Sequence, residues 1–235
     1  MSNAGKWSLL AALLLASHVA LAETPKRKAT PAPPPASSPA GPEDNAQAAF
    51  AAYQRGFFLT AFAQASRAAA QSDPQAMTLL GELYANGYGV GRDDAKAADW
   101  YKRAADHGDR DGIFALAMLR FEGRGGPRDV DDGARLLAQA AKLGHPAAAY
   151  DLGLLYLQGE QFPQDFKHAA ELFDIGARAG NPESQYALAT MYKEGRGVPK
   201  NDIQAAQLMD HAATAGNLDA MVEFAIAQFN GTGTA

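Results

Sequence analysis

The chain lacks cysteine altogether, so no disulfide can support its fold and its stability must come from packing. Basic charge is also scarce, because 21 Lys and Arg residues stand against 26 Asp and Glu residues, a formal net charge of −5 at pH 7. Proteins that bind nucleic acid depend on basic surfaces. The composition therefore argues against nucleic acid as a partner.

A long apolar run occurs at the N-terminus, from Trp7 to Leu21, directly after Lys6. It is shorter than the roughly 20 residues of a membrane-spanning helix, and the small residues of Ala20-Leu21-Ala22 suit a signal peptidase. We expect a cleaved signal peptide over residues 1–22, a periplasmic or secreted protein, and no stable membrane anchor after cleavage. An uncleaved anchor is the weaker alternative, and the missing cysteine excludes a lipid anchor at this position.

Residues 23–44 contain seven prolines and no large apolar side chain. Such a segment buries too little surface to offset the entropy of ordering, which predicts a disordered, partly extended linker. Lys26, Arg27 and Lys28 could contact an anionic surface. A small charge cluster is a weak binding signal, however, and a solubilising role is the reading we favour.

Glycines recur every 36 residues through the remainder of the chain. One series precedes a polar turn, at Gly108, Gly144, Gly180 and Gly216. A second consists of Gly87, Gly123, Gly159, Gly195 and Gly231, and a third of Gly89, Gly125, Gly197 and Gly233, interrupted by Gln161. Such a period is the signature of a repeat architecture, in which these glycines are hinges between helices.

Each period predicts two helices. The first, helix A, is expected from about Gln75 to Asn86, with Asp73-Pro74 as its start signal and Gly87 as its end. The second, helix B, is expected from Asp94 to His107. Its N-cap position carries Asp93, Asp129, Asp165 and Asn201.

Helix B carries small residues at a fixed phase, such as Ala97-Ala98 and Ala140-Ala141, which let neighbouring helices approach closely. Larger side chains are expected to fill the space between repeats, at Trp100, Leu136, Leu172 and Leu208. No single pair of helices can bury its apolar face alone, so several must stack. The predicted fold is all-α, a right-handed α/α solenoid of 36-residue helix-turn-helix repeats.

These motifs resemble the Sel-1-like repeat, a relative of the tetratricopeptide repeat. The resemblance rests on Leu80-Gly81-Glu82-Leu83-Tyr84, on Gly-x-Gly-Val at residues 87–90, and on the segment from Lys96 to Ala105, and it departs from the pattern at Ala117, Arg120 and Gln161. The expected solenoid spans residues 45–235. It divides into a divergent first helix pair at 45–72, repeats at 73–108, 109–144, 145–180 and 181–216, and a half-repeat at 217–235. The half-repeat is either cut from a longer array, which we favour, or an atypical cap.

No catalytic constellation is visible in the sequence. Gly87-Tyr88-Gly89-Val90-Gly91 looks like a dinucleotide loop, but a predicted helix precedes it where that motif needs a strand. The histidines lack metal-binding spacing, and Asp93-Asp94 and Asp131-Asp132 lie where residues cap helices. We therefore expect a protein that is not an enzyme and that binds no metal and no cofactor.

The resemblance implies that helix A lines a concave groove, in which an apolar patch would mark a partner site. The candidate partner-binding residues are Phe114, Met118, Phe121, Tyr150, Leu154, Leu157 and Tyr186, with Glu82 and Glu122. The aromatic positions could equally be core between repeats. The expected function is an exported scaffold, adaptor or regulator that binds a protein or peptide, and a monomer is compatible with the sequence. The alternatives are a cell-wall or polysaccharide-related binding protein or hydrolase that uses the same groove, and a spacer without a ligand.

Overall fold

The computed structural model describes the backbone of residues 42–232 and the side chains of residues 46–232. The predicted signal peptide, and the predicted linker up to residue 41, lie outside the described residues. The described part contains eleven α-helices and no strand. These are α1 (Pro42–Gln54), α2 (Phe58–Ala69), α3 (Pro74–Asn86), α4 (Asp94–Asp106), α5 (Arg110–Glu122), α6 (Val130–Lys142), α7 (Pro146–Gln158), α8 (Phe166–Arg178), α9 (Pro182–Glu194), α10 (Asp202–Thr214) and α11 (Leu218–Phe229).

The helices fall where the repeat predicts them, with small differences at their ends. Helix α1 begins at Pro42, three residues before the predicted boundary at residue 45. Proline suits the first position of a helix, because the N–H group that it lacks would have no partner there. Helix α4 ends at Asp106, one residue earlier than predicted.

The chain forms two compact units, which divide between Arg128 and Asp129. In the first unit, α1 packs on α2 and α3 on α4, and α3 also contacts α1 and α5. In the second unit, α7 packs on α8 and α9 on α10, while α7 also contacts α9. Helices α1, α3 and α7 thus each contact both their own partner helix and the next first helix in the same unit, which is the stacking pattern of an α/α repeat. The predicted all-α repeat fold is confirmed.

The predicted capping residues occupy the N-cap positions. The side chain of Asp73 accepts a hydrogen bond from the backbone N–H of Ala76 at 2.9 Å, and Asp93 accepts one from Lys96 at 3.0 Å. Asp129, Asp165 and Asn201 make the same contact at the starts of α6, α8 and α10. Each side chain satisfies a backbone donor that would otherwise have no partner within the helix.

Several glycines mark places where two segments approach too closely for a side chain. A Cβ atom on Gly81 would lie 2.5 Å from the ring of Tyr101, and one on Gly153 would lie 2.6 Å from the ring of Phe173. Gly197, in the loop after α9, has a φ of +70°, and its Cβ would lie 2.2 Å from the carbonyl oxygen of Phe166. Gly81 and Gly153 therefore set the spacing between packed helices, whereas Gly197 both turns the chain and lets its loop approach α8 closely.

The small residues of helix B are buried, as their phase predicts. Ala97, Ala104 and Ala140 have no exposed surface, and Ala141 is 2% exposed. Of the larger residues expected between repeats, Leu136 and Leu172 are buried. Trp100 and Leu208 are only half-buried. The buried alanines of helix B are packed so tightly that a larger side chain would not fit in their place.

Candidate functional site

Helix α5 carries the predicted partner-binding residues of the first unit on one face. Phe114, Met118 and Phe121 are spaced by four and three residues, so they lie along one side of the helix, and all three are half-buried. Ile113, on another face of α5, has no exposed surface and belongs to the core. A helix with a packed face and a partly accessible apolar face can bind a further polypeptide.

In the second unit the prediction for α7 is wrong at Leu154 and Leu157, which are buried at 4% and 8% exposure. Helix α7 packs against three helices, α6, α8 and α9. With three neighbours, α7 has buried residues on more than one of its faces. Because the side chains of Leu154 and Leu157 are enclosed, neither can contact a partner. Tyr150 and Tyr186 remain half-buried, so they keep an accessible surface.

Acidic side chains lie close to these two tyrosines. Burial raises the pKa of Tyr150, and the nearby carboxylates of Asp151, Glu183 and Asp219 raise it further. Burial also raises the pKa of Tyr186, as do the carboxylates of Glu223 and Asp219. The second unit thus combines partly accessible tyrosine rings with acidic side chains.

Glu183 and Asp219 were not identified from the sequence as site residues, although a signal for them exists. They are 36 residues apart, and Asp111 lies 72 residues before Glu183, so all three occupy the same position near the start of a first helix. An acid at this position also favours the helix, because the N-terminus carries a partial positive charge. In the sequence these acids stand out only as members of the polar turn that follows Gly108, Gly180 and Gly216.

A cavity of about 410 Å³ lies in the first unit between α1 and α3 and reaches the start of α5. Its lining residues are Ala46, Gln47, Phe50, Ala51, Gln54, Gln75, Thr78, Leu79, Glu82, Asp109 and Asp111. Of these, only Glu82 was among the predicted site residues. The cavity itself was not predicted, because α1 lies outside the regular repeats and its pairing with α3 is a tertiary contact.

The carboxylates at the cavity differ in the number of hydrogen bonds that they accept from other residues of the chain. Asp109 caps α5, accepting from the N–H of Gly112 at 2.9 Å, and also accepts from the hydroxyl of Thr78 at 2.5 Å. The Tyr53 hydroxyl donates a short hydrogen bond to Oε1 of Glu82. Burial, and then this contact with Glu82, raises the pKa of Tyr53.

The glutamates on the first helices, Glu82, Glu122 and Glu194, each have a hydrogen-bond or ion-pair partner. Glu122 pairs with Arg124 at 3.1 Å, and Glu194 pairs with Arg196 at 3.3 Å. Glu82 accepts from Tyr53, so each carboxylate has a local structural partner. Within residues 42–232 no group of three or more His, Asp or Glu side chains is placed to hold a metal ion.

The paired aspartates have structural roles. Asp93 caps α4, whereas Asp94 accepts from Arg124 at 2.7 Å, and this hydrogen bond lowers the pKa of Asp94. Asp131 accepts from the amide of Gln161 at 2.6 Å, and Asp132 pairs with Arg135.

Arg124 is a structural residue that the sequence analysis overlooked. Besides its contacts to Asp94 and Glu122, it donates to the carbonyl oxygen of Ala85 at 3.2 Å and so joins the loop after α5 to the α3–α4 pair. Arg196, 72 residues later, holds the equivalent position and lies 4.4 Å from the ring centroid of Phe166. A cation–π contact with Phe166 thus takes the place of the Arg124–Asp94 pair, while Arg196 keeps an ion pair with Glu194.

None of the helices found in the described part of the chain has the length and apolarity needed to cross a membrane.

Comparison with known families and structures agrees with the observed repeat. The family model described as Sel1 repeat matches four consecutive segments, residues 74–109, 110–145, 146–181 and 182–217. The comparison with curated proteins returns no match.

Several solved structures share the fold. A Sel1 repeat protein from Oxalobacter formigenes is 34% identical, with a TM-score of 0.68, over 69% of this chain and 47% of that one. The protective antigen c5321 of uropathogenic Escherichia coli, described as displaying an SLR fold, is 27% identical with a TM-score of 0.72, over 81% of this chain and 42% of that one. A Sel1 repeat protein from Klebsiella pneumoniae is 25% identical with a TM-score of 0.51, over 80% of this chain and 93% of that one. The chain spans less than half the length of the first two proteins.

Proposed function

The chain belongs to the Sel1 repeat family, whose members are generally protein–protein interaction scaffolds and typically not catalysts, and from this premise we propose that it binds a partner polypeptide through its first helices. We name the relevant surface the first-helix face. The name covers one set of residues in each unit: Phe114, Met118 and Phe121 on α5 of the first unit, and Tyr150 and Tyr186 on α7 and α9 of the second. Leu154 and Leu157 are not part of it, because they are buried.

The observation that supports this proposal is the partial exposure of large apolar and aromatic side chains on helices whose other faces are packed. Aromatic residues are frequent at the centres of protein interfaces, since they bury a large area at a small cost in conformational entropy. Glu82 on α3 and Glu122 at the end of α5 would supply polar contacts around an apolar centre.

We also propose that the protein acts outside the cytoplasm, in the periplasm or beyond the cell. This proposal rests on the signal-peptide pattern over residues 1–22. No observation in the described residues favours polysaccharide binding or hydrolysis, because the candidate glutamates have partners within their own chain.

Chemical cross-linking and capture of envelope proteins by the full chain tests the proposed function. Tyr186→Ala and Met118→Ala should each reduce recovery of a specific polypeptide, because both remove accessible contact area from the first-helix face. Ile175→Ala and Leu59→Ala are the matched controls, because they truncate apolar side chains that are 39% and 74% exposed outside this face. If all four variants recover the partner equally, or if wild type captures no polypeptide, the proposal is wrong.

A further inference from the structure

The cavity between α1 and α3 has an uneven charge. Three carboxylates line it, from Glu82, Asp109 and Asp111, and among the residues whose side chains the structure describes no lysine, arginine or histidine lines it. Arg110 pairs with Asp111 at 3.6 Å, and both side chains remain at least half exposed. An exposed pair of this kind is weak, so a cation from a partner can compete for Asp111.

The cavity also has an apolar wall beside its carboxylates. The ring of Phe50 is 50% exposed, and Leu79 beneath it is buried at 2% exposure. The side-chain amides of Gln47 and Gln54 lie on the same helix as Phe50 and offer both donors and acceptors.

These groups match the chemistry of a long basic side chain. Lysine and arginine pack their methylene stems on apolar or aromatic surface while the charged end reaches a polar group. The charged end would meet Glu82, whose Oε1 atom already accepts from Tyr53 and whose second oxygen can accept a further bond, and Asp111. A volume of about 410 Å³ accommodates one such side chain and its neighbouring backbone, and glutamine amides suit that backbone.

We propose that this cavity binds a lysine or arginine side chain of the partner polypeptide, with Phe50 packing on its stem and Glu82 and Asp111 pairing with its charge. The inference rests on the proposed function and specifies the partner's chemistry in the first unit: an extended basic segment. Asp109 contributes negative charge at the rim but keeps its role as the cap of α5.

A random library of phage-displayed 12-residue peptides, selected on the full chain, tests the proposal. The selected peptides should be enriched in Lys or Arg next to an apolar residue. A selected peptide, labelled with fluorescein, should bind the double variant Glu82→Gln with Asp111→Asn at least tenfold more weakly than wild type. Asp99→Asn with Asp106→Asn is the matched control, because it removes the same charge from exposed side chains of α4 and should change affinity less than twofold.

A change on the peptide side keeps the test independent of protein folding. Replacement of the selected lysine by norleucine, which keeps the stem and removes the charge, should weaken binding to wild type at least tenfold and leave binding to the double variant nearly unchanged. Equal losses in both proteins would overturn the proposal.

Three other results would also overturn it, and they separate it from the proposed function. Selected peptides without basic residues that still lose affinity in Tyr186→Ala would leave the first-helix face standing and refute the cavity. If the peptides bind only after Lys26, Arg27 and Lys28 are changed to glutamine, the occupant of the cavity is the chain's own basic segment and not a partner. Selection of no peptide, together with failure to capture a partner, would refute both.

Discussion

Asp151 should make the stability of the second unit fall as pH rises. The side chain is only 6% exposed, and burial, with a smaller contribution from the carboxylate of Glu183, raises the pKa of Asp151 from 3.8 to about 7. Because the folded chain keeps a proton that the unfolded chain has already released, the folded state loses relative stability as pH rises from about 4 to about 7. Above about pH 7 both states are ionised and the loss is complete.

The size of the effect follows from that pKa change. At about 1.4 kcal/mol for each pKa unit, the rise to about 7 corresponds to about 4 kcal/mol in the free energy of unfolding, of which about 3 kcal/mol is lost between pH 5 and pH 8. The variant Asp151→Asn cannot ionise. Its stability relative to wild type should therefore increase by about 3 kcal/mol over the same interval.

Urea unfolding followed by circular dichroism at pH 5, 6, 7 and 8 measures this difference directly. Subtracting wild type from Asp151→Asn cancels the titration of every group that the two chains share. Asp174→Asn is the matched control in the same unit, because the side chain of Asp174 is 41% exposed. The difference in the free energy of unfolding between this variant and wild type should be the same at all four pH values. A constant difference for Asp151→Asn as well would refute the reasoning.

Three further predictions concern packing and processing. In urea unfolding, Gly197→Ala should destabilise the fold by ~1–3 kcal/mol more than Gly180→Ala. Both glycines have a positive φ, but only Gly197 lies against the Phe166 carbonyl. Equal losses of stability in the two variants would contradict the close approach. Ala141→Leu should lower the free energy of unfolding by ~1–3 kcal/mol through overpacking and should lower the melting temperature. Ala138→Leu, at an exposed position of the same helix, should do neither. An unchanged melting temperature for Ala141→Leu would refute the packing phase. N-terminal sequencing of the protein from its envelope fraction should begin at Glu23, and an intact Met1 there would contradict signal cleavage.

The local features of the fold were predictable from the sequence because short segments determine them. Asp73 caps α3, and Gly87 takes the left-handed conformation that ends the helix, with a φ of +71°. A capping side chain and a positive φ depend on residues within one turn, so the 36-residue spacing reveals them.

The candidate surface was only partly predictable, because accessibility depends on which helices lie alongside. Leu154 and Met118 occupy the same phase, 36 residues apart, yet Leu154 is buried and Met118 is half-buried. The cavity was missed for a related reason: Phe50 belongs to α1, whose position against α3 no repeat motif encodes. Asp151 lies in a buried environment that spacing does not reveal.

Site-specific photo-cross-linking tests most directly the claim that the first helices bind the partner. Because the chain has no cysteine, a single introduced cysteine carries a benzophenone at one chosen position. Probes at Glu122→Cys and Tyr186→Cys should cross-link to the captured polypeptide, and probes at Asp99→Cys and Ile175→Cys on second helices should not. Cross-links from the second helices alone would contradict the account.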